Sequence, residues 1–350
     1  MKEILIDIYK SRNICSGLGQ FSLNFANELM NQSINDIGLN LLVPENSTIQ
    51  AQQNCKIIVA DFKKRYFPFL NKNYAIWHSL NQFPSFTPNK RTVQILTIHD
   101  LNFLFEKDDA KSAKYLKKLQ KNFDRADYIT TISNFTKKQI EENIDQKGKM
   151  VRVIYNGINI EAPQHPLIPK FANSQKFFFS ISIFNRKKNF HVLLPLIKHF
   201  KDHRLIIAGD NNTPYGREIR NRIKRMNLSD RVILPGKISN SDKYWLYNNC
   251  EAFLFPSIAE GFGMPVIEAM KLGKAVFLSK HTSLPEIGGD QAFYFDHFDD
   301  KYMSSFIHEK LLKFSSEKDC KKKIQEYANN FNWQKCMKEY LQLYAEILNN

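Results

Sequence analysis

The sequence predicts an α/β fold built on two parallel sheets, because short β-rich apolar runs alternate with helical patterns from one end of the chain to the other. Two further observations carry this assignment. Runs such as Ala252-Phe253-Leu254-Phe255 are short and continuously apolar, as strands buried on both faces of a parallel sheet are. A proline-rich stretch divides the series into two sets, and 350 residues suffice for two domains that each have a core.

In the first set, Ile4 to Tyr9, Leu39 to Val43, Lys56 to Ala60, Tyr74 to His78, Thr92 to Ile98 and Tyr128 to Ile132 read as strands. Gln20 to Met30 and Ala110 to Phe123 between them have helical periodicity. The segment 161–169 holds Pro163, Pro166 and Pro169, which disfavour a continuous element and mark the boundary. Lys176 to Ile183, Arg204 to Ala208, Arg231 to Leu234, Ala252 to Phe255 and Ala275 to Leu278 form the second set of strands. Phe331 to Leu341 reads as an amphipathic helix. The expected domains are therefore 1–165, 170–330 and a final helix within 331–350.

Hydrophobic residues at 43% and charged residues at 24% are ordinary for a globular chain, and no apolar run is long enough to span a bilayer. Met1-Lys2-Glu3 leads into a first strand rather than a secretory signal. Cys15, Cys55, Cys250, Cys320 and Cys336 are scattered and odd in number, the pattern of reduced thiols in a cytoplasmic protein. The net charge of +15 is the one unusual bulk property and implies an anionic partner. Up to residue 160 there are 22 Lys and Arg against 15 Asp and Glu, so the excess is not confined to a tail. Residues 110–123 read as a basic amphipathic helix with Tyr115, Leu116, Leu119 and Phe123 on one face, suited to docking on anionic lipid at the inner face of a membrane. No nucleic-acid-binding motif accompanies the charge.

The densest chemistry lies in Pro256 to Met270, where Glu260 and Glu268 flank Gly261-Phe262-Gly263-Met264-Pro265. The two glycines let the backbone approach a ligand closely, and Pro265 fits the first helical position. Glu268 is thereby expected in the first helical turn and Glu260 in the loop before it. Helix N-terminal amides can hold an anionic group there, while the carboxylates hold hydroxyls. Ser16-Gly17-Leu18-Gly19-Gln20 follows the first strand, permits a tight turn and opens a helix. Arg186-Lys187-Lys188-Asn189 puts cations at a strand's C-terminal end. His99, closing another strand, can donate to or accept from a hydroxyl, or be satisfied by Asp100; His78 stands at a further strand end. Gly209 and Ile238 lie just beyond strands of the second set, and Ser133 can cap the helix after it. No D-x-D pair occurs in the chain.

Taken together these segments resemble the retaining glycosyltransferases of family 4, which have the GT-B fold: two Rossmann-like domains facing a cleft, with a C-terminal helix crossing back to the N-terminal domain. The resemblance covers nearly the whole chain and is strongest from residue 176 to 296. It implies that Glu260, in the family's E-x7-E segment, approaches the donor sugar and that Glu268 accepts hydrogen bonds from the ribose. Gly17 and Gly19 match the Gly-rich loop facing the donor diphosphate. Lys188 and Asn189 match the Arg-Lys-Asn element in register; its arginine falls on Lys187, with Arg186 one place earlier, so the second cation remains open between them. Gly261, Phe262, Gly263 and Met264 surround the donor, and Gly209 and Ile238 frame the base. His99 stands beside the reacting sugar, with His78 and Asp100 on the acceptor side. His99, Glu260 and Lys188 are the implied catalytic residues.

The implied activity is hexose transfer from a UDP- or GDP-linked sugar to a hydroxyl of a glycan or lipid-linked saccharide, in lipopolysaccharide, O-antigen or capsule synthesis. No metal or other cofactor is expected, since fixed cations and amides take the place that D-x-D carboxylates and a divalent ion fill elsewhere. The alternatives are a GT-B sugar-nucleotide epimerase, a dehydrogenase (disfavoured by the missing G-x-G-x-x-G) and a basic nucleic-acid-binding protein.

Overall fold

Among the described residues every strand pair is parallel, and the strands fall into one sheet of seven and one of six. The structure, a computed structural model, describes residues 2–13, 16–32, 37–47, 49–50, 55–68, 71–164, 167–172 and 175–349. The chain divides into unit 1, Met1–Gly157 with Asn332–Asn350, and unit 2, Ile158–Phe331. His165 and Pro166 of the proline-rich stretch lie outside the described residues, as does Cys15. The described cysteines, Cys55, Cys250, Cys320 and Cys336, are all free thiols.

Unit 1 contains β1 (Lys2–Asp7), β2 (Ile37–Val43), β3 (Cys55–Val59), β4 (Ile76–Ser79), β5 (Val93–Ile98), β6 (Tyr128–Thr131) and β7 (Val151–Val153). Their order is β3-β2-β1-β4-β5-β6-β7. Unit 2 contains β8 (Lys176–Ile181), β9 (His203–Ala208), β10 (Val232–Gly236), β11 (Ala252–Phe255), β12 (Ala275–Ser279) and β13 (Phe293–Phe295), ordered β10-β9-β8-β11-β12-β13. Both are doubly wound sheets, and their strand order reverses between β1 and β4 and between β8 and β11. Ligands of such sheets bind beyond the strand C-termini at the reversal. The two strands missing from the sequence reading, β7 and β13, are three-residue edge strands too short to show a pattern.

The C-terminal helix Trp333–Asn349 belongs to the core of unit 1. Its buried positions, Trp333, Cys336, Met337, Tyr340, Leu343, Tyr344, Ile347 and Leu348, recur every three or four residues and so share one face. That face packs with Ile4 and Ile6 of β1 and with Phe21 and Phe25 of the helix Gly17–Met30. In unit 2, Phe178, Leu205, Ile207, Leu254 and Phe277 from four adjacent strands form one core with the flanking helices.

The basic helix spans Asp109–Arg125, and part of its apolar stripe is buried while Tyr115 stays exposed. Leu119 and Phe123 are fully buried beside Leu96 and Ile98, and Tyr115 stacks on Phe103. Burial of that stripe holds the helix on the sheet and leaves the lysines outside. Among the described residues no helix is long and apolar enough to cross a membrane.

Met337 has no exposed surface in this core. We expect Met337→Ala to cost about 2–5 kcal/mol in the urea unfolding free energy. A loss below about 1 kcal/mol would mean that the C-terminal helix contributes little to unit 1.

Candidate functional site

The reversal between β8 and β11 brings Lys188 and Glu260 together. The loop after β8 closes with a short 3₁₀ turn, Arg186–Lys188, and Asn189 follows in the left-handed region at φ 58°. Asn and Gly tolerate that conformation best, which accounts for Asn189. Ile258 N–H and Ser257 Oγ both donate to the Lys187 carbonyl, at 2.7 and 3.0 Å. This pins the loop after β11 to the loop after β8. Lys188 Nζ then lies 2.5 Å from Glu260 Oε1, with both residues more than nine-tenths buried, and 5.4 Å from the centre of the Phe255 ring. The backbone of Glu260 is held in turn by the loop after β12. Its N–H donates to Thr282 Oγ1 at 2.9 Å, and Ser283 Oγ donates to its carbonyl at 3.1 Å.

Gly261 and Phe262 are buried, Phe262 against Phe331. Gly263 caps the next helix at φ 101°, a conformation that excludes other residues without strain. The helix is Met264–Lys271, so Pro265 is its second residue and Glu268 its fifth. Glu268 therefore sits in the second turn, not the first, because Gly263 lets the helix start one residue earlier. Its carboxylate accepts from Lys243 Nζ at 2.8 Å and from Tyr247 Oη at 2.9 Å. These donors lie four apart on one face of the helix Asn240–Asn249. Nothing in the sequence linked them to Glu268, since only the packing of two helices makes the contact. Each carboxylate oxygen keeps further acceptor capacity.

Of the two candidates for the second cation, Arg186 is exposed and donates to Glu218 at 2.7 Å, while Lys187 is partly buried. Gly209 N–H donates to the Gly236 carbonyl at 2.8 Å, and Ile238 lies partly buried just beyond β10. A Cβ on Gly209 would stand 1.9 Å from the Ser182 carbonyl oxygen.

In unit 1 the helix starts at Gly17, and the Ser16 side chain caps it by accepting from Gly19 N–H at 3.0 Å. Both glycines are thus in the first helical turn rather than in a tight turn before it, and Ile14 lies outside the described residues. A Cβ on Gly19 would come 1.9 Å from the Asn13 carbonyl oxygen, so close packing of its own chain accounts for this glycine. Phe21 of the same helix meets His99 edge to face at 4.8 Å. His99 Nε2 lies 2.9 Å from the Leu80 carbonyl, which can only accept, so this nitrogen carries the proton and Nδ1 is the acceptor. The expected partner Asp100 instead caps its own turn, accepting from Asn102 N–H at 3.0 Å. Burial lowers the His99 value to about 4, so the ring is neutral at pH 7.

Both ring nitrogens of His78 are taken by the protein's own side chains. It is fully buried on β4, with Nδ1 2.7 Å from Tyr344 Oη and Nε2 2.7 Å from Thr97 Oγ1. It ties the C-terminal helix to the sheet, and burial lowers its value to about 3. Ser133 is a helix cap, accepting from Thr136 N–H at 3.1 Å.

Comparison with known proteins follows the same division. The family model "Glycosyl transferases group 1" matches residues 164–331, and "Glycosyltransferase Family 4" matches residues 59–162. An uncharacterized glycosyltransferase of Methanocaldococcus jannaschii is 27% identical over 280 residues, covering 77% of this chain and 75% of that protein. The O-antigen chain mannosyltransferase RfbU of Salmonella typhimurium is 26% identical over 215 residues, 61% of this chain and 60% of the relative. Among solved structures, a sucrose-phosphate synthase from Thermosynechococcus elongatus superposes with a TM-score of 0.79 at 16% identity over the full length of both chains. Anabaena HepE in complex with UDP-glucose gives 0.75 at 16% identity, over 99% of this chain and 100% of its own. The fold is GT-B, that of a two-domain glycosyltransferase. The chain belongs to the group 1, family 4 glycosyltransferases, which sets aside the epimerase, dehydrogenase and nucleic-acid-binding alternatives.

Two expectations follow from this geometry. Lys188→Met should cost about 3–5 kcal/mol in urea unfolding of the ligand-free chain, because it strands a buried carboxylate. Adding Glu260→Gln should recover most of that loss; a double variant as unstable as the single one would deny the coupling. The second expectation concerns pH. His78 and His99 have folded values below the ordinary 6.5, so between pH 6.5 and 4 the unfolded chain binds more protons and stability falls as pH falls. His78→Asn should flatten that slope by up to about 1.4 kcal/mol per pH unit, read from urea midpoints across the window.

Proposed function

We propose that this glycosyltransferase moves a hexose from a nucleotide-diphosphate sugar to a hydroxyl of a glycan or lipid-linked saccharide, with retention and without a metal ion. The observation that carries the reading is the buried Lys188–Glu260 pair at the strand reversal of unit 2, backed by Glu268 with its own lysine and tyrosine. Lys188 faces the departing diphosphate with Arg186 or Lys187, and the positive helix end at Gly263 adds to them. Glu260 orients the donor sugar, Glu268 accepts from the ribose hydroxyls, and Gly209 and Ile238 lie against the base. The acceptor oxygen attacks the anomeric carbon on the face from which the diphosphate leaves. The carbon–oxygen bond to the diphosphate breaks, and the acceptor's proton passes to the departing oxygen. Neutral His99 serves as a hydrogen-bond acceptor through Nδ1 and does not donate.

Relatives named as O-antigen mannosyltransferases support mannose as the sugar and surface-polysaccharide assembly as the setting, while the solved neighbour with UDP-glucose supports a nucleotide-sugar donor. Cytoplasmic work at an anionic membrane face would rest on the exposed lysines of Asp109–Arg125, Lys111, Lys114, Lys117, Lys118 and Lys121, with Tyr115 exposed among them.

Calorimetric titration of GDP-mannose, GDP, UDP-glucose and UDP in EDTA, on wild type and Glu268→Ala, tests the donor site. One nucleotide pair should bind in the micromolar range and weaken about tenfold or more in the variant, as expected for a lost charged hydrogen bond. Binding that appears only with added divalent metal would overturn the metal-free mechanism.

A further inference from the structure

Unit 1 carries a second constellation that none of the residues above accounts for. Beyond the C-terminal ends of β1, β2 and β3, beside the strand reversal of this sheet, lies a cavity of about 460 Å³. Tyr9 and Phe86 form an aromatic wall, their rings edge to face at 5.1 Å. Arg12 lies 5.0 Å over the Tyr9 ring and donates to its hydroxyl at 3.3 Å, and Arg65 comes in from the helix Phe62–Tyr66. Lys10 and Lys118 stand close by. Burial first, then the charges of Arg12, Lys118 and Arg65, hold the Lys10 ammonium below its ordinary value, with Asp7 opposing.

Arg12 and Arg65 line one cavity, and Lys10 and Lys118 lie within reach of their repulsion. Among the described residues no carboxylate forms an ion pair with any of them, whereas seven other lysines and arginines of unit 1 do find such partners. A cluster of this kind attracts an anion of more than one charge. Two guanidinium forks match the oxygens of a phosphate better than they match a point charge. The aromatic wall and Glu45, which also lines the cavity, suit a ligand that carries hydroxyls as well. A purely anionic polymer would meet Glu45 unfavourably.

We propose that this cavity receives the phosphate-bearing end of the acceptor, a saccharide joined to a mono- or diphosphate, with Arg12 and Arg65 on the phosphate oxygens. The proposal rests on the reading of the chain as a transferase with a saccharide acceptor. It adds the chemical class of that acceptor and the residues that recognise it.

The test is calorimetry of mannose 1-phosphate and of inorganic pyrophosphate with the full chain carrying Lys188→Met and Glu260→Gln, which removes the diphosphate contact proposed in unit 2 without leaving a buried carboxylate unpaired. The same chain with Arg12→Gln and Arg65→Gln is the comparison. Affinity should fall about tenfold or more on the double substitution, recover in part with Arg12→Lys and Arg65→Lys, and be absent for free mannose. Tighter binding of mannose 1-phosphate points to a saccharide monophosphate, and tighter binding of pyrophosphate to a saccharide diphosphate. Unchanged affinity, no binding of either probe to the Lys188→Met/Glu260→Gln chain with its cooperative urea unfolding intact, or equal binding of mannose would overturn the proposal. Arginine-dependent binding to phosphatidylglycerol vesicles without arginine-dependent phosphate binding would overturn it in favour of a membrane surface. Nucleotide titration of Arg12→Gln/Arg65→Gln alone separates the two readings. Retained nucleotide affinity shows a folded chain with its donor site, and loss of that affinity in this variant alone would assign the arginines to the donor. If the wild type bound no nucleotide, the donor reading would fail while the phosphate titration still decided this one.

Discussion

Where the strand order of a parallel sheet reverses, the chain leaves two neighbouring strands in opposite directions and the loops between them part. In unit 2 this happens between β8 and β11, and the candidate site depends on how the gap is bridged. The bridge is made by backbone: one carbonyl, that of Lys187, accepts from both Ile258 N–H and the Ser257 hydroxyl. With the two loops fixed at that point, the next residue of one, Lys188, and the second residue beyond Ile258 in the other, Glu260, have little choice but to meet. Thr282 and Ser283 close the third side by holding the backbone of Glu260. Side chains supported in this way are set before a ligand arrives, which is the condition for electrostatic stabilisation without reorganisation.

The electrostatics of that pair are better explained by a ligand than by stability. A buried ammonium–carboxylate pair seldom outperforms apolar packing of the same volume, because desolvation offsets the attraction. The same arrangement occurs twice: Glu260 has Lys188, and Glu268 has Lys243. Each carboxylate thus arrives with its charge balanced and its remaining lone pairs available to hydroxyls. A diphosphate approaching this edge would not be repelled by two bare glutamates. In the reading proposed, Lys188 meets the diphosphate with the helix end at Gly263 and with Lys187 or Arg186, the latter shared with Glu218.

Much of the fold was legible because the strands of a buried parallel sheet are short apolar runs with few competing interpretations. The strand Ala252–Phe255 was delimited to the residue, and only the three-residue edge strands β7 and β13 left no trace. The site was legible only as segments. The spacing of Glu260 and Glu268, the cations at 186–188 and the strand-end His99 each pointed to a loop beyond a strand, and of these the structure joins Lys188 to Glu260. What the sequence could not supply was partnership across separations of tens of residues: Lys188 with Glu260, Lys243 and Tyr247 with Glu268, and Leu80 rather than Asp100 with His99. His78 shows the converse. A histidine at a strand end looks like a ligand-binding group until a helix more than 250 residues later supplies Tyr344 and covers it.

The glycines carry the same lesson at finer scale. A glycine beyond a strand reads as room for a ligand, yet two of these positions are filled by the protein's own carbonyls, that of Asn13 against Gly19 and that of Ser182 against Gly209, each 1.9 Å from where a Cβ would stand. The convergence of loops by itself requires a glycine at these positions. Ser182 begins the loop that ends in Lys188, and Phe184 N–H in the same loop donates to the Asp210 carbonyl at 3.0 Å. A side chain at Gly209 would have to displace that loop from β9, and Lys188 would move with it. The residue therefore governs the ammonium that faces Glu260 through the spacing of two backbones, and its effect on a bound nucleotide would be transmitted through Lys188 as much as through any contact of its own.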